Sequence, residues 1–479
     1  MDWLTVCPPT GVELEIVSND LFHRSFERSE IEFENEGGET YICGNPPYIG
    51  DKKQSKKQKL DIKEIFEPLT SSWKSLDYIC GFFYKAYEFL NHTNSLCAFV
   101  STNSIVQGQH VPRFWGLLDG KVDIFFAAHS FKWSNLAANK AGVTCVIVGL
   151  STPNRFKNKA LYERDQVRLV DNISPYLTPG PNIIVKPASL SISGLPRMTL
   201  GNMPKDDGGL LLTKEEADSL DLDASSRAAW TKKALGSTEF IQGRMRYCLW
   251  LSDDDLWAAL ENPKIAARVE HVKRFREKSI DPGMKPMAAR PHQFREMNCP
   301  ERLGIVVPRV SSENREFLPV GLFGSESIVT DRNYAIYDGD IWAISLIASR
   351  MHWVWIATVC VRMRTDFSYS NTLGWNTFPV PRLTEKNRID LTKCAEEILL
   401  AREAHFPATI AELYDPKSMP DDLREAHERN DEVLERIYIG RRFKNDTERL
   451  EKLFDLYTKM TSKQPRQAKR VKPEQGRNQ

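Results

Sequence analysis

Over the first third of the chain, short apolar runs alternate with segments of helical period. Residues 13–17, 40–43, 96–101, 122–127 and 142–150 are rich in Val, Ile and Phe and are bounded by polar or turn-forming residues, the pattern of buried strands. Tyr78, Phe82, Phe83, Ala86 and Leu90 recur at helical spacing and predict a helix over 76–90. Strands alternating with helices from about Val12 to Ser151 predict α/β organisation. From about Thr152 to Pro381 the pattern breaks into short mixed elements with many Gly, Pro and aromatic residues, which predicts a mixed α+β region. Within it, residues 341–361 are apolar enough to suggest a membrane span, but Ser345, Arg350 and His352 interrupt them. A charge at membrane depth is costly, so a buried helix is the expectation and no membrane is implied. From 383 to 460 the period is helical, with Leu391, Ala395, Ile398 and Leu399 on one stripe and Leu450, Leu453, Phe454 and Tyr457 on another. Residues 461–479 are rich in Gln, Lys and Arg with no apolar period and read as a disordered basic tail.

Composition changes this picture little. A length of 479 residues predicts roughly three domains at ~150 residues each, here 1–151, 152–382 and 383–460 before the tail. With 41% hydrophobic and 27% charged residues, the chain is not largely disordered. Nine cysteines without a Cys-x-x-Cys pair and nine histidines without metal-ligand spacing argue against a disulfide framework or a zinc cage. A reducing cytoplasm fits, and the first ten residues carry no signal-peptide pattern. Lys plus Arg number 65 against 64 acids, so any polyanion must be met by local clustering. One such cluster spans 264–295, with nine Lys/Arg, three acids, and Phe275 and Phe294 interleaved. By composition it is either a solvated helix face or a phosphate-binding surface that includes Lys273 and Arg274. Arg244, Arg246, Arg309, Arg362 and Arg364 are further candidates, each able to hold a phosphate or grip a guanine.

The sharpest local signal is Asn45-Pro46-Pro47-Tyr48, which follows Gly44 and the strand predicted at 40–43. A proline turn ending a strand is the plain reading. The chemical reading starts from the amine on a nucleobase, a poor nucleophile because its lone pair is delocalised into the ring. Two acceptors against its hydrogens, the Asn45 side-chain oxygen and the Pro46 carbonyl, would draw the nitrogen toward tetrahedral geometry. Its lone pair would then point at the sulfonium methyl of S-adenosylmethionine, with no strong base required. The prolines make the acceptors rigid, and Tyr48 offers a flat face for a base that has left its duplex. The place agrees as well, because open α/β sheets bind ligands beyond the carboxyl ends of their strands.

Further blocks extend the match. They are Leu76-Asp77-Tyr78, then 98–105 with Gln107-Gly108, then 125–135 (FFAAHSFKWSN) and Gly201-Asn202-Met203-Pro204. Glu239-Phe240-Ile241, 246–251, 376–381, Leu413-Tyr414-Asp415-Pro416 and Met419-Pro420 follow in order. Together they resemble the MmeI-like (type IIL) restriction–modification DNA methyltransferases over nearly the whole chain. The resemblance implies a class I S-adenosylmethionine-dependent methyltransferase sheet, a target recognition domain and a helical C-terminal region. It implies adenine-N6 methylation of one strand of double-stranded DNA, with Asn45, Pro46, Pro47 and Tyr48 catalytic. Phe131 matches the region of a second aromatic against the flipped base, with Trp133 its competitor. Asp20 resembles the acid that receives the cofactor adenine amine, and a turn residue is the alternative.

The family's glycine-rich cofactor loop has no counterpart among the 44 residues before Asn45, whose glycines are Gly11, Gly37, Gly38 and Gly44. The expectation is therefore an incomplete sheet that begins inside the methyltransferase domain and leaves the strand at 40–43 as an exposed edge. The family's nuclease domain has no counterpart here either. Two readings follow: a catalytic chain, alone or completed by an upstream-encoded polypeptide, or a DNA-recognition module without catalysis.

Overall fold

The computed structural model describes residues 40–133, 143–163, 166–363 and 366–462. The strand expected at 13–17, Asp20, Arg364 and residues 463–479 lie outside them.

The first part is a sheet with helices. β1 (Thr40–Gly44), β2 (Ser95–Thr102), β3 (Asp123–Trp133), β4 (Val143–Ser151), β5 (Lys159–Glu163) and β6 (Gln166–Val170) form one six-stranded sheet in the order β1-β2-β4-β3-β5-β6. β1 and β2 are parallel, and β4 runs antiparallel to both of its neighbours. Four of these strands fall where apolar runs predict them. Helix α1 (Lys56–Phe66) starts in a capping box made by Ser55 and Gln58. Helix α2 (Ile79–Leu90) begins three residues later than the spacing predicts, and buries Phe83, Ala86 and Leu90. No partner for the other side of β1 is found among the described residues, so the expectation of an open edge there turns on residues outside them.

The middle part is mixed, as expected. β8 (Leu211–Leu212), β9 (Thr231–Leu235), β10 (Tyr247–Leu249) and β14 (Ser327–Val329) make one sheet, against which α3 (Pro263–Glu277) contributes to a separate core. β7 (Thr199–Leu200), β11 (Leu303–Pro308), β13 (Gly321–Gly324) and β15 (Asn333–Tyr337) make a second. β12 (Val310–Ser311), β16 (Val361–Met363) and β17 (Asp366–Ser368) make a third.

The single buried helix expected over 341–361 is instead two, α4 (Trp342–Ile347) and α5 (Arg350–Val359). Ser349 breaks the run by capping α5, its hydroxyl accepting from the His352 N–H at 3.2 Å. The interrupting polar residues each have a partner. Ser345 bonds Asn430, Arg350 pairs with Asp446 at 2.6 Å, and His352 meets the Tyr369 hydroxyl at 2.9 Å. No helix among the described residues is long and apolar enough to cross a membrane.

Helices α6 (Glu385–Glu403), α7 (Asp421–Ile439) and α8 (Asp446–Ser462) follow, and α8 carries the last of the described residues. Leu391, Ala395, Ile398, Leu450, Leu453, Phe454 and Tyr457 are buried, in the same core that underlies the first sheet.

Candidate active site and nucleic-acid interface

Gly44, the last residue of β1, stands opposite Phe99 of β2, and the chain passes from there straight into Asn45. Asn45 and Pro47 are exposed, Pro46 is buried, and Tyr48 is half-buried against the core. The two prolines hold their own φ and bias their predecessors toward extended shapes. The backbone beyond them is pinned from outside the loop. Asp77 Oδ1 accepts from the Ile49 N–H at 3.0 Å and from the Ile79 N–H at 3.1 Å. The Ile49 carbonyl accepts from the Tyr78 N–H and from Gln54 Nε2, both at 3.0 Å. Gln54 Nε2 also reaches the Leu76 carbonyl at 2.9 Å. Burial pushes the Asp77 carboxyl above its ordinary value, opposed by those N–H groups and by His110. Asp77 and Gln54 are site residues that the sequence reading did not assign. The only signal was the Leu76-Asp77-Tyr78 block that follows the motif.

Tyr48 and Phe131 are brought toward each other through Cys145. The Tyr48 phenol lies beside the Cys145 thiol, and burial, then this thiol, raises the phenol's pKa. Cys145 on β4 pairs with Thr102 of β2 on one side and Phe131 of β3 on the other. A register shift between Ala128 and Phe131 marks a β-bulge, a device that re-aims a side chain. Inside it, the Ser130 hydroxyl donates to Asn103 Oδ1 at 2.9 Å. Phe131 is half-buried; the side chain of its competitor Trp133 lies outside the described residues.

The stretch 264–295 divides into two kinds of cation. Arg276, expected within a phosphate-binding or solvated cluster, is fully buried. Its guanidinium donates to the carbonyls of Pro204, Lys205, Met287, Arg290 and Gln293 at 2.8–3.0 Å. Burial lowers its pKa to about 10. Arg290 donates to the Phe294 and Arg295 carbonyls, and Arg268 to those of Gly208 and Gly209. Phe294, read as interleaved, is core. Lys273 and Arg274 are exposed on α3, Arg274 with Glu270 at 2.8 Å. Arg244, Arg246 and Arg309 are exposed, Arg246 lying 3.8 Å from Glu239. Arg362 is half-buried, 3.5 Å from Glu313 and 4.5 Å over the Phe367 ring.

The turn after β2 joins the first sheet to the middle region. Gln107 Oε1 accepts from the Arg362 N–H at 3.0 Å. Gly108 beside it has φ +58°, and a Cβ there would lie 2.1 Å from Val361 Cγ2. Both the backbone and the close approach therefore require glycine. Among the described residues no group of His, Cys, Asp or Glu could hold a metal ion.

Three family models match in series. They are the MmeI DNA-methyltransferase domain over residues 1–163, the MmeI target recognition domain over 179–382, and the MmeI C-terminal domain over 383–464. DNA methyltransferase A of Bacillus subtilis (strain 168) is 41% identical over 464 residues, 97% of this chain and 50% of that protein. The solved structure of the type IIL restriction–modification enzyme MmeI in complex with DNA matches with a TM-score of 0.82 and 34% identity, covering 88% of this chain and 57% of that one. The chain thus spans about half the length of the relatives it matches. On these matches, collinear with the sheet, the mixed middle region and the helical end described above, the chain belongs to the MmeI-like family of restriction–modification DNA methyltransferases.

Proposed function

We propose that this chain carries the base-methylating and sequence-reading parts of a DNA adenine-N6 methyltransferase. The observation that carries the reading is the loop at 45–48. It leaves the carboxyl end of β1 with Asn45 exposed, its backbone pinned by Asp77 and Gln54, and Tyr48 and Phe131 converging at Cys145.

The residues suit an amine substrate. Asn45 Oδ1 and the Pro46 carbonyl accept the two hydrogens of the exocyclic amine and draw its lone pair out of the ring. Tyr48 and Phe131 supply faces on which a flipped base stacks. S-adenosylmethionine, when bound, supplies the electrophilic methyl. Asp20 is proposed to receive the cofactor's adenine. The DNA in the similar MmeI structure supports DNA as the substrate, and double-stranded DNA is the form proposed. Lys273, Arg274, Arg244, Arg246, Arg309 and Arg364 are proposed to meet it, by phosphate or base contacts. Neither the comparisons nor the described residues support a separate upstream-encoded polypeptide.

The test is methyl transfer from labelled S-adenosylmethionine to mixed-sequence duplex DNA, followed by nucleoside analysis. Label in N6-methyladenine is expected. Asn45→Ala should lower the rate by about a hundredfold or more while duplex binding persists. Duplex binding without any label would leave a DNA-recognition module instead.

A further inference from the structure

Asn103 opens the turn that follows β2, one strand in from the loop at 45–48. The residue is 6% exposed. Oδ1 is engaged by the Ser130 hydroxyl, but Nδ2 is buried and has no hydrogen-bond partner among the described residues. A buried donor without an acceptor costs free energy, and folded proteins leave few of them. Nearby hydroxyls do not share the vacancy, because Thr102 and Ser104 bond one another at 2.6 Å.

The surroundings place the residue beside the candidate site. Thr102, the residue before Asn103, pairs with Cys145, whose thiol meets Tyr48 and whose other ladder partner is Phe131. Ser130, which holds the Asn103 oxygen, is the residue before Phe131 in the bulge. The carboxamide is therefore tied to the supports of both aromatic side chains. At the loop itself, the groups assigned to the amine are acceptors. A purine held there also presents ring nitrogens, which are acceptors and need a donor.

We infer that Asn103 is a base-binding residue: its Nδ2–H donates to a ring nitrogen of the target adenine, while Ser130 fixes the amide's orientation through Oδ1. The inference rests on the reading of this site as an adenine methylation site.

The experiment first maps the methylated adenine on mixed-sequence duplex. It then places adenine, 1-deazaadenine, 3-deazaadenine or 7-deazaadenine at that position. Asn103→Asp keeps the oxygen for Ser130 and removes the donor. It should lower kcat/KM on adenine by about tenfold. On one deaza base the unsubstituted chain should show the same loss, with the variant adding nothing further. Ser130→Ala disturbs the bulge but keeps the donor, so it should preserve the ranking of the four bases. Asn103→Ala serves as the second donor-free variant should Asn103→Asp fold poorly. Equal loss on all four bases would overturn the inference in favour of a structural pin for the bulge, and so would no loss on adenine. Absence of methylated adenine with the unsubstituted chain would instead overturn the adenine reading, and this inference with it.

Discussion

In the loop at 45–50 the fold grips the backbone and leaves the chemistry free. Asp77 and Gln54 take up the main-chain groups of Ile49, while the Asn45 side chain stays exposed. In the stretch 264–295 the relation is reversed. There the charged side chain is the grip: Arg276 gathers five main-chain carbonyls from two segments, 204–205 and 287–293, and is withdrawn from solvent. Lys273, three residues earlier on the same helix, faces solvent. Residue type therefore says little about role in the second region, whereas in the first the side chain proposed for the chemistry is the one the fold leaves exposed. The physical reason is the hydrogen-bond balance. A loop with unpaired carbonyls must find donors, and a planar guanidinium supplies five in a fixed fork.

The largest test of this contrast is Arg276→Leu. Five carbonyls would lose their donor, and a stability loss of about 3–5 kcal/mol is expected in denaturant unfolding. Unchanged stability with weakened DNA binding would erase the distinction between the two regions. Tyr48→Ala comes next. Removing the stacking face should lower kcat/KM by about ten- to a hundredfold, following base–aromatic stacking of about 1–3 kcal/mol. Tyr48→Phe should stay within a few-fold, since the ring remains; a large loss there would move the role from the ring to the hydroxyl beside Cys145. The smallest expected effect is that of Lys273→Ala. Stability should not change, and the slope of log K against log salt for duplex binding should fall by about one. An unaltered slope would mean that this face of α3 does not meet phosphate.

Much of the fold was legible because it depends on local pattern. Buried strands announce themselves as β-branched runs, and the stripes of α6 and α8 repeat at helical spacing. The motif at 45–48 was legible for the same reason. Residues 341–361 show where this stops. Their hydrophobicity predicted one helix, but the Ser349 cap splits it, and Ser345, Arg350 and His352 are accommodated by Asn430, Asp446 and Tyr369. Two of those partners lie more than eighty residues away. The site divides likewise. Asp77 reaches back 28 residues to Ile49, and Ser130 reaches 27 to Asn103, so neither role shows in its neighbourhood along the chain.

The amino-acid sequence by itself determined the strand-and-helix alternation of the first part, the helical end, the loop of Asn45 to Tyr48 and the family resemblance. All of these are patterns of spacing that neighbouring residues carry together. Only the tertiary structure decided that Asp77 pins that loop, that Cys145 stands between Tyr48 and Phe131, that Gly108 must be glycine against Val361, and that Arg276 serves the protein's own carbonyls. A buried polar group must be matched by whichever partner folding delivers, and that partner is set by contacts between distant segments rather than by spacing along the chain.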